Sequence, residues 1–293
     1  MHRLLTLAIV ALLSVTGCSF GIAGQEPTSA PKSTVNLNPS TQEERNQSTA
    51  KGAALTLRKT YTGFQAPTGL AVDHSGNLYV SNWSGGSVTR VDTAGNYSTF
   101  TDGLGSPAGL TFDPTDNLYV ADYARDVIYK ITPAGEKSIF AQGLHTPTGI
   151  AFNHAGDLLV SNRSSNEIVK ITGSGKMELV AKGMRTPVGV VEDSEGNLYV
   201  TNYGGSIIKV TPAGAISTLS TQFGRPGVGI DISRQNIIFA ADNGDDCVRR
   251  LAPDGSTEIV ANNIGGCVAL LVHEDTLYVG GWNEGAVHVY SIH

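Results

Sequence analysis

Short apolar runs separated by polar turns recur along most of the chain at a fixed interval. The segment from Pro67 to Trp83 reads PTGLAVDHSGNLYVSNW, and close copies begin at Pro107 and Pro147. A glycine recurs every 40 residues at the same place in each copy, at Gly69, Gly109, Gly149, Gly189 and Gly229. A repeat of this length with several short strands is typical of one blade of a β-propeller.

Within one repeat the pattern predicts four strands, which we call a to d. Strand a is TGLAV, and a turn opened by Asp73 and completed by Gly76 leads to strand b, NLYVS. Asp opens such turns through its side chain, and Gly tolerates the left-handed backbone. Strand c begins near Ser87 and ends in turns such as PAG, after which strand d, such as KSIFA from Lys137, completes the sheet.

The last repeat ends without a strand d, because the chain stops at His293 directly after strand c. The segment LTLRKTYTGF, from Leu55 to Phe64, precedes the first repeat and ends like a strand d. We therefore predict that residues 54–62 form the outer strand of the sixth blade, which removes an open seam. The sequence predicts an all-β fold, a six-bladed propeller of four-stranded antiparallel blades over residues 51–293.

Repeats of the form PxGxAxDxxGNLYVxD followed by a PxG turn resemble NHL repeats. They are also similar to the propellers of the gluconolactonase and streptogramin lyase groups, and the resemblance covers residues 54–293. It implies a six-bladed propeller. Propellers of these groups serve as lactonases, lyases and binding modules, so the activity has to be argued from the site.

The first 17 residues are predicted to be a signal peptide. His2 and Arg3 precede an apolar run of 12 residues from Leu4 to Val15, which is shorter than the roughly 20 residues that span a bilayer. The run leads to VTGC, which resembles a bacterial lipobox and implies cleavage before Cys18 and lipidation of that cysteine. Ordinary cleavage, with Cys18 as a bystander, is the alternative.

Residues 18–50 are rich in Ser, Thr, Pro, Gln and Asn and are predicted to form a flexible tether. With two acyl chains on Cys18 the predicted partner of this segment is a membrane. The protein is thus expected to be an exported bacterial lipoprotein. By resemblance to Gram-negative lipoproteins, Ser19 after the lipidated cysteine favours the outer membrane as the location. The protein is then expected on either the periplasmic side or the cell surface.

Charge narrows the choice of partners. The formal net charge is -6, only 16% of residues are charged, and no run of Lys or Arg follows the length of a phosphate backbone. Nucleic acid is therefore not a predicted partner.

One polar position closes strand b in five repeats. A residue type that recurs in every blade serves the fold more often than a site, because each blade has the same folding requirement. The position holds Asn82, Asp122, Asn162, Asn202 and Asp242, and Gly281 in the sixth repeat. These side chains could form a ring that binds a divalent cation, or hydrogen-bond the adjacent loops. Because the five residues are nearly identical, hydrogen bonding to the loops is favoured over cation binding.

The next position differs between the copies and is the better candidate for a site. It reads Trp83, Tyr123, Arg163, Tyr203, Asn243 and Trp282, in loops that should share one face with His145, Arg185 and Arg225. Aromatic faces suit sugars and other rings, and arginine suits carboxylate or phosphate. We predict that Trp83, Tyr123, Arg163, Tyr203, Trp282, His145, Arg185 and Arg225 bind an anionic or carbohydrate-like molecule, with a protein partner as the other candidate. Packing between blades is the structural alternative.

Catalysis is the second hypothesis for this face. The resemblance to gluconolactonases implies a divalent cation, but Thr68, Ala108, Thr148 and Val188 stand where its ligands would be wanted. His145 is a candidate base, and Glu284 and Asp245 are candidate acids. Binding without catalysis and without a cofactor is favoured, and a metal-assisted hydrolase or lyase is the alternative.

Two cysteines remain within the repeats. Cys247 begins strand c of blade five and Cys267 begins strand a of blade six, so both should lie on one face. In an oxidising compartment they are predicted to form a disulfide, with two buried thiols as the alternative.

Overall fold

The computed structural model describes residues 55–292, which form 24 strands and no helix. Blades one to three contain β2 Pro67–Val72, β3 Leu78–Asn82, β4 Ser87–Val91, β5 Tyr97–Thr101, β6 Pro107–Phe112, β7 Leu118–Asp122, β8 Val127–Ile131, β9 Lys137–Gln142, β10 Pro147–Phe152, β11 Leu158–Asn162, β12 Glu167–Ile171 and β13 Met177–Lys182. Blades four to six contain β14 Pro187–Glu192, β15 Leu198–Asn202, β16 Ser206–Val210, β17 Ile216–Ser220, β18 Pro226–Ile232, β19 Ile238–Asp242, β20 Cys247–Leu251, β21 Thr257–Ala261, β22 Cys267–His273, β23 Thr276–Gly281, β24 Ala286–Ser291 and β1 Thr56–Thr62. The six antiparallel sheets of four strands confirm the predicted propeller.

The sixth blade is closed by the first strand of the chain. Its strand order is β1-β24-β23-β22, and Tyr61 of β1 lies opposite Val287 of β24. The predicted closure is therefore confirmed, with the strand running over Thr56–Thr62. A register shift between Leu57 and Lys59 marks a bulge in this outer strand.

The turn between strands a and b is built by the aspartate that the repeat predicts. The Asp73 carboxylate accepts the backbone N–H groups of Ser75 at 3.0 Å and Asn77 at 2.9 Å, and the Tyr79 hydroxyl donates to it at 3.1 Å. Burial, followed by the negative charge of Asp73, raises the pKa of Tyr79 to about 12. Gly76 completes the turn with φ of 80°.

The core lies between neighbouring blades. Between blades one and two, Val88 and Leu118 are buried beside Ile131. Tyr79 packs edge-to-face against Phe100 and Phe112, with ring centroids 4.9 Å apart in each pair. Because every blade presents one apolar face to the next, each interface repeats the same solution.

The 40-residue glycine spacing marks the positions where the inner strands approach each other around the axis. A Cβ atom on Gly69 would lie 2.1 Å from the Ala108 carbonyl oxygen, and one on Gly229 would lie 2.1 Å from the Leu270 amide nitrogen. Blade six carries Ala269 here instead. Gly280 on the adjacent strand compensates, since a Cβ there would lie 2.8 Å from that of Ala269. The glycines therefore belong to the scaffold.

The predicted signal peptide over residues 1–17, the lipidation site Cys18 and most of the predicted tether and domain boundary lie outside the described residues. Within residues 55–292, no helix is long and apolar enough to cross a membrane.

Candidate functional site

The variable residues after strand b meet at one mouth of the central channel. We call this the bc pocket, and its volume is about 180 Å³. Its rim is formed by Trp83, Tyr123, Arg163, Tyr203, Asn243 and Trp282, and Thr68, Thr148, Val188, Pro226, Gly227, Val228 and Val268 form the rest of its lining. Each blade thus contributes one rim residue.

Backbone hydrogen bonds between the two sets of loops hold the rim in place. The amide of Trp83 donates to the carbonyl of Ala66 at 3.2 Å, and the amide of Tyr123 donates to Ser106 at 3.0 Å. The same bond joins Tyr203 to Thr186 at 3.0 Å in blade four. The b-to-c and d-to-a loops therefore share one face, which we call the bc face.

Arg163 lies between two tyrosines at the rim. Its guanidinium carbon is 5.7 Å from the ring centroid of Tyr123 and 5.1 Å from that of Tyr203, and its Nη1 donates to the Tyr123 hydroxyl at 3.0 Å. Stacking and the hydrogen bond fix the plane of the guanidinium. Its Nε is buried and has no hydrogen-bond partner within the described part of the chain. The charge also has no carboxylate partner there.

The aromatic rim has both packed and open faces. Trp83 stacks obliquely against Tyr123, with centroids 4.9 Å apart and ring planes at 53°. Tyr203 and Trp282 remain 38% and 39% exposed, respectively, which leaves part of each ring free for a ligand. Arg225 lies over the Tyr203 ring, 5.3 Å from its centroid.

The structure places only some of the eight predicted ligand residues in the bc pocket. Five line the bc pocket: Trp83, Tyr123, Arg163, Tyr203 and Trp282. Arg225 reaches the rim only through Tyr203, and His145 and Arg185 are exposed and do not line the pocket. Proximity to a loop proline places a residue on the bc face, but it does not direct the side chain toward the axis.

The polar residues that end strand b hold the preceding d-to-a loop, as the loop interpretation predicts. Each accepts a backbone N–H: Asn82 from Gln65 at 3.0 Å, Asp122 from Gly105 at 2.7 Å, Asn162 from His145 at 2.6 Å, Asn202 from Arg185 at 3.2 Å and Asp242 from Gly224 at 3.0 Å. All five are buried. Their oxygens are therefore directed to the loops and away from a shared cation.

Glu284 takes the place of this polar residue in blade six, where the ring position is Gly281. Its carboxylate accepts the Gly265 backbone N–H, and this bond corresponds to those that hold the d-to-a loops in the other five blades. The carboxylate also lies 2.7 Å from Nε2 of His288. A Cβ atom on Gly281 would lie 3.0 Å from the Glu284 carboxylate. A longer side chain from three residues further along therefore fills the space that the glycine leaves.

The proposed acid–base group of His145, Glu284 and Asp245 is not assembled at the bc pocket. Glu284 binds its own loop, and Asp245 pairs with Arg249, whose Nε also donates to Asp242 at 2.9 Å. These partners tie both carboxylates to their own blades. Among the described residues, no three His, Cys, Asp or Glu side chains come together as a metal site would require.

Cys247 and Cys267 are buried free thiols in the structure. The predicted disulfide is therefore not formed there, and the structure has the alternative of two buried thiols. Burial raises the pKa of Cys247 to about 12, and burial also raises that of Cys267 well above its ordinary value. Both thiols are therefore protonated at neutral pH.

Comparison with known proteins assigns the family. The model of the virginiamycin B lyase family matches residues 56–263, most of the propeller. The chain belongs to this family. A search of curated proteins finds no match.

Solved structures agree on the fold of this family member. Virginiamycin B lyase from Staphylococcus aureus superposes with a TM-score of 0.63 at 14% identity, over 80% of this chain and 99% of that one. A gluconolactonase from Xanthomonas campestris gives a TM-score of 0.71 at 14% identity, over 83% and 96% of the two chains. At these identities the likeness establishes the shared propeller, and the activities belong to those proteins.

Proposed function

We propose that this member of the virginiamycin B lyase family binds, in the bc pocket, a small molecule that combines a flat ring with an anionic group. The observation that carries the proposal is Arg163. Its guanidinium is oriented by two tyrosines, and it has an unsatisfied buried Nε and no carboxylate partner among the described residues. A guanidinium that is held in one orientation and lacks a charge partner can donate its N–H groups to a carboxylate or phosphate group.

The surroundings of Arg163 favour an anion further. The lining of the bc pocket, within the described residues, contains no Asp or Glu that would repel one. The Tyr203 and Trp282 faces lie on the same rim and offer stacking surface for a sugar or an aromatic ring. A volume of about 180 Å³ suits a small molecule or one group of a larger one.

Binding can be tested with glucuronate and 4-hydroxybenzoate as anionic probes, and with glucose and phenol as their neutral counterparts. We expect calorimetry or ligand-observed NMR to detect binding of the anions. Arg163→Gln should lower the affinity for them by about tenfold or more. Trp83→Ala should weaken them less, since it removes packing and leaves the charge. Arg185→Gln is the matched control, because Arg185 carries the same charge on the same face outside the pocket. Equal affinity for charged and neutral probes, or no effect of Arg163→Gln, would refute the proposal.

Catalysis is the second candidate function, and family membership is the observation that favours it. One structural relative of 17% identity and TM-score 0.62 is a catalytically inactive virginiamycin B lyase from Staphylococcus aureus bound to quinupristin, matched over 83% of this chain and 82% of that one. Quinupristin incubated with the protein, with and without MgCl₂, and followed by mass-resolved chromatography decides between the candidates. Turnover that scales with protein concentration would replace the binding proposal with the enzymatic one.

We also propose that a lipid on Cys18 anchors the protein to a membrane, on the strength of the VTGC motif and the apolar run before it. Full-length protein expressed in a Gram-negative host should incorporate labelled palmitate and partition into Triton X-114, and Cys18→Ser should abolish both. Labelling that persists in the variant would disprove the anchor. Fractionation of inner and outer membranes tests the role of Ser19.

A further inference from the structure

A second cavity occupies the channel on the side of the a-to-b turns. We call it the channel cavity, and its volume is about 370 Å³. The inner strands of all six blades contribute to its wall, which combines polar groups with the aliphatic side chains of Leu70, Leu110, Ile150, Val190, Ile230 and Leu271. Its volume lies within the range of small-molecule sites.

Three titratable side chains line the channel cavity within the described residues, and none of them is Lys or Arg. They are Asp231 on β18, Glu192 on β14 and His154 in the turn between β10 and β11. The lining from β2, β6 and β22 is not titratable. The charged groups of this cavity are thus opposite in sign to the Arg163 site.

Asp231 breaks the pattern of its repeat. Two residues after the central glycine, the other blades carry Ala71, Thr111, Ala151, Val191 and Leu271, whereas blade five carries a carboxylate. An apolar residue satisfies the fold at this position five times, if the threonine methyl is counted. The scaffold therefore does not require an acid here, and the change adds a charge at a position that is uncharged in the other five blades.

The Asp231 carboxylate is only half satisfied by the protein. One oxygen accepts the Ile232 backbone N–H at 2.8 Å and the other accepts that of Val272, in blade six, at 2.8 Å. No basic side chain pairs with it in the described structure. Burial raises its pKa to about 6, against the two backbone hydrogen bonds, which lower it. At neutral pH the group is ionised, with one acceptor direction on each oxygen unused.

Glu192 is compensated in part by its neighbour. Its Oε2 accepts the His154 backbone N–H at 2.7 Å and lies 2.6 Å from Nδ1 of the same residue. If the imidazole is protonated the pair is neutral, and otherwise it carries one negative charge. In both cases Asp231 remains without a compensating positive charge among the described residues.

We propose that the channel cavity binds an organic cation, with an ammonium group paired to Asp231 and an apolar body against the aliphatic wall. The ammonium group supplies the donors and the charge that the carboxylate lacks. The absence of any cluster of three metal-binding side chains among residues 55–292 favours an organic ammonium over a metal ion. The proposal concerns a different cavity from the bc pocket and does not depend on the proposed function.

A larger groove adjoins the channel cavity. It has a volume of about 690 Å³ and shares Phe152, Asn153 and His154 with the cavity lining. Its other walls include Phe112 and Phe140, so the body of a longer amine has apolar surface to follow.

Benzylamine and cyclohexylamine are suitable probes, and benzyl alcohol is the neutral counterpart of the first. We expect calorimetry on the wild-type protein at neutral pH to give saturable binding of the amines and none of the alcohol. Asp231→Asn should lower the affinity for the amines by about tenfold or more. Asp275→Asn, an exposed position on the same face that does not line the cavity, should leave affinity unchanged.

Three results would overturn the proposal: no saturable binding of either amine, equal binding of amine and alcohol, or unchanged affinity in a folded Asp231→Asn protein. If that variant does not fold, the wild-type pH profile replaces it. Protonation of Asp231 predicts that affinity falls as pH drops through about 6, while Glu192→Gln reports what the Glu192–His154 pair contributes to that profile. A flat profile in both proteins would refute the ammonium–carboxylate pair.

Discussion

Glu284 shows how one residue can replace another from a different place in the chain. Five blades fix the loop before strand a with Asn or Asp at the end of strand b, and blade six does so with Glu284 beside Gly281. The hydrogen bond to the loop is retained while the residue that supplies it moves by three positions. The requirement is therefore an acceptor at a point in space, and more than one sequence satisfies it.

We predict that Glu284→Ala lowers the free energy of unfolding by about 0.5–1.5 kcal/mol, because the Gly265 amide loses its protein acceptor in a solvent-accessible loop. Urea denaturation measures the change. The double variant Gly281→Asn with Glu284→Ala should recover part of it, since removal of the carboxylate frees the space for an Asn like that of the other blades. A double variant no more stable than Glu284→Ala would contradict this exchange.

Asp231 predicts a specific pH dependence of stability. Its pKa is about 6 in the folded protein against an ordinary value of 3.8, so the folded state holds this proton more tightly than the unfolded state. Its favourable contribution is therefore fully present below about 3.8 and is lost as pH rises through about 6. Relative to wild type, Asp231→Asn should gain about 2 kcal/mol of stability between roughly pH 4 and pH 8. Parallel stability curves from denaturant titrations would contradict the shift.

At the scale of the element, strand a carries two kinds of information. Its central glycine is set by contact with the next blade, as the 2.1 Å separation from a Cβ on Gly69 to the Ala108 oxygen illustrates. Two residues further on, the side chain can vary, and blade five uses this freedom to place Asp231 in the channel. One short strand thus serves packing at one position and chemistry at another.

Gly69→Ala should destabilise the protein by about 3 kcal/mol or more, because the added methyl meets rigid backbone and not a movable side chain. Gly173→Ala is the matched control, since a Cβ there has no neighbour within 4 Å, and we expect it to change stability by less than about 0.5 kcal/mol. Thermal and urea unfolding of both variants provide the comparison. Similar stability of the two variants would show that the inner strands can move apart.

At the scale of the whole molecule, the propeller depends on β1 to complete a blade formed otherwise from the other end of the chain. Deletion of residues 1–62 should lower the unfolding temperature by roughly 10 °C, because β24 loses its outer partner and exposes an edge. Deletion of residues 1–54 is the control and should leave the temperature close to that of the full chain. Equal unfolding temperatures of the two truncations would show that β1 adds little to closure.

Much of the architecture can be predicted from the sequence repeat alone. Its period, its turn residues and its alternation of apolar and polar positions predict each blade, because these are local requirements met by neighbouring residues. The missing last strand and the extra first strand predict the closure. The polar position at the end of strand b follows the same logic, and its hydrogen bonds to the loops are those that five near-identical copies imply.

The arrangement of the sites depends on residues that are far apart in sequence, so only the tertiary structure decides it. Arg163 lies between Tyr123 and Tyr203 because three blades meet at the axis, while His145 and Arg185, on the same face, point elsewhere. Glu284 and Asp231 each depart from the repeat, but a departure does not reveal what a side chain will touch. The sequence determined the blades and their number through local periodic contacts, and it determined their closure through a strand missing from the last repeat and present before the first. Packing around the axis decided which of the variable side chains meet.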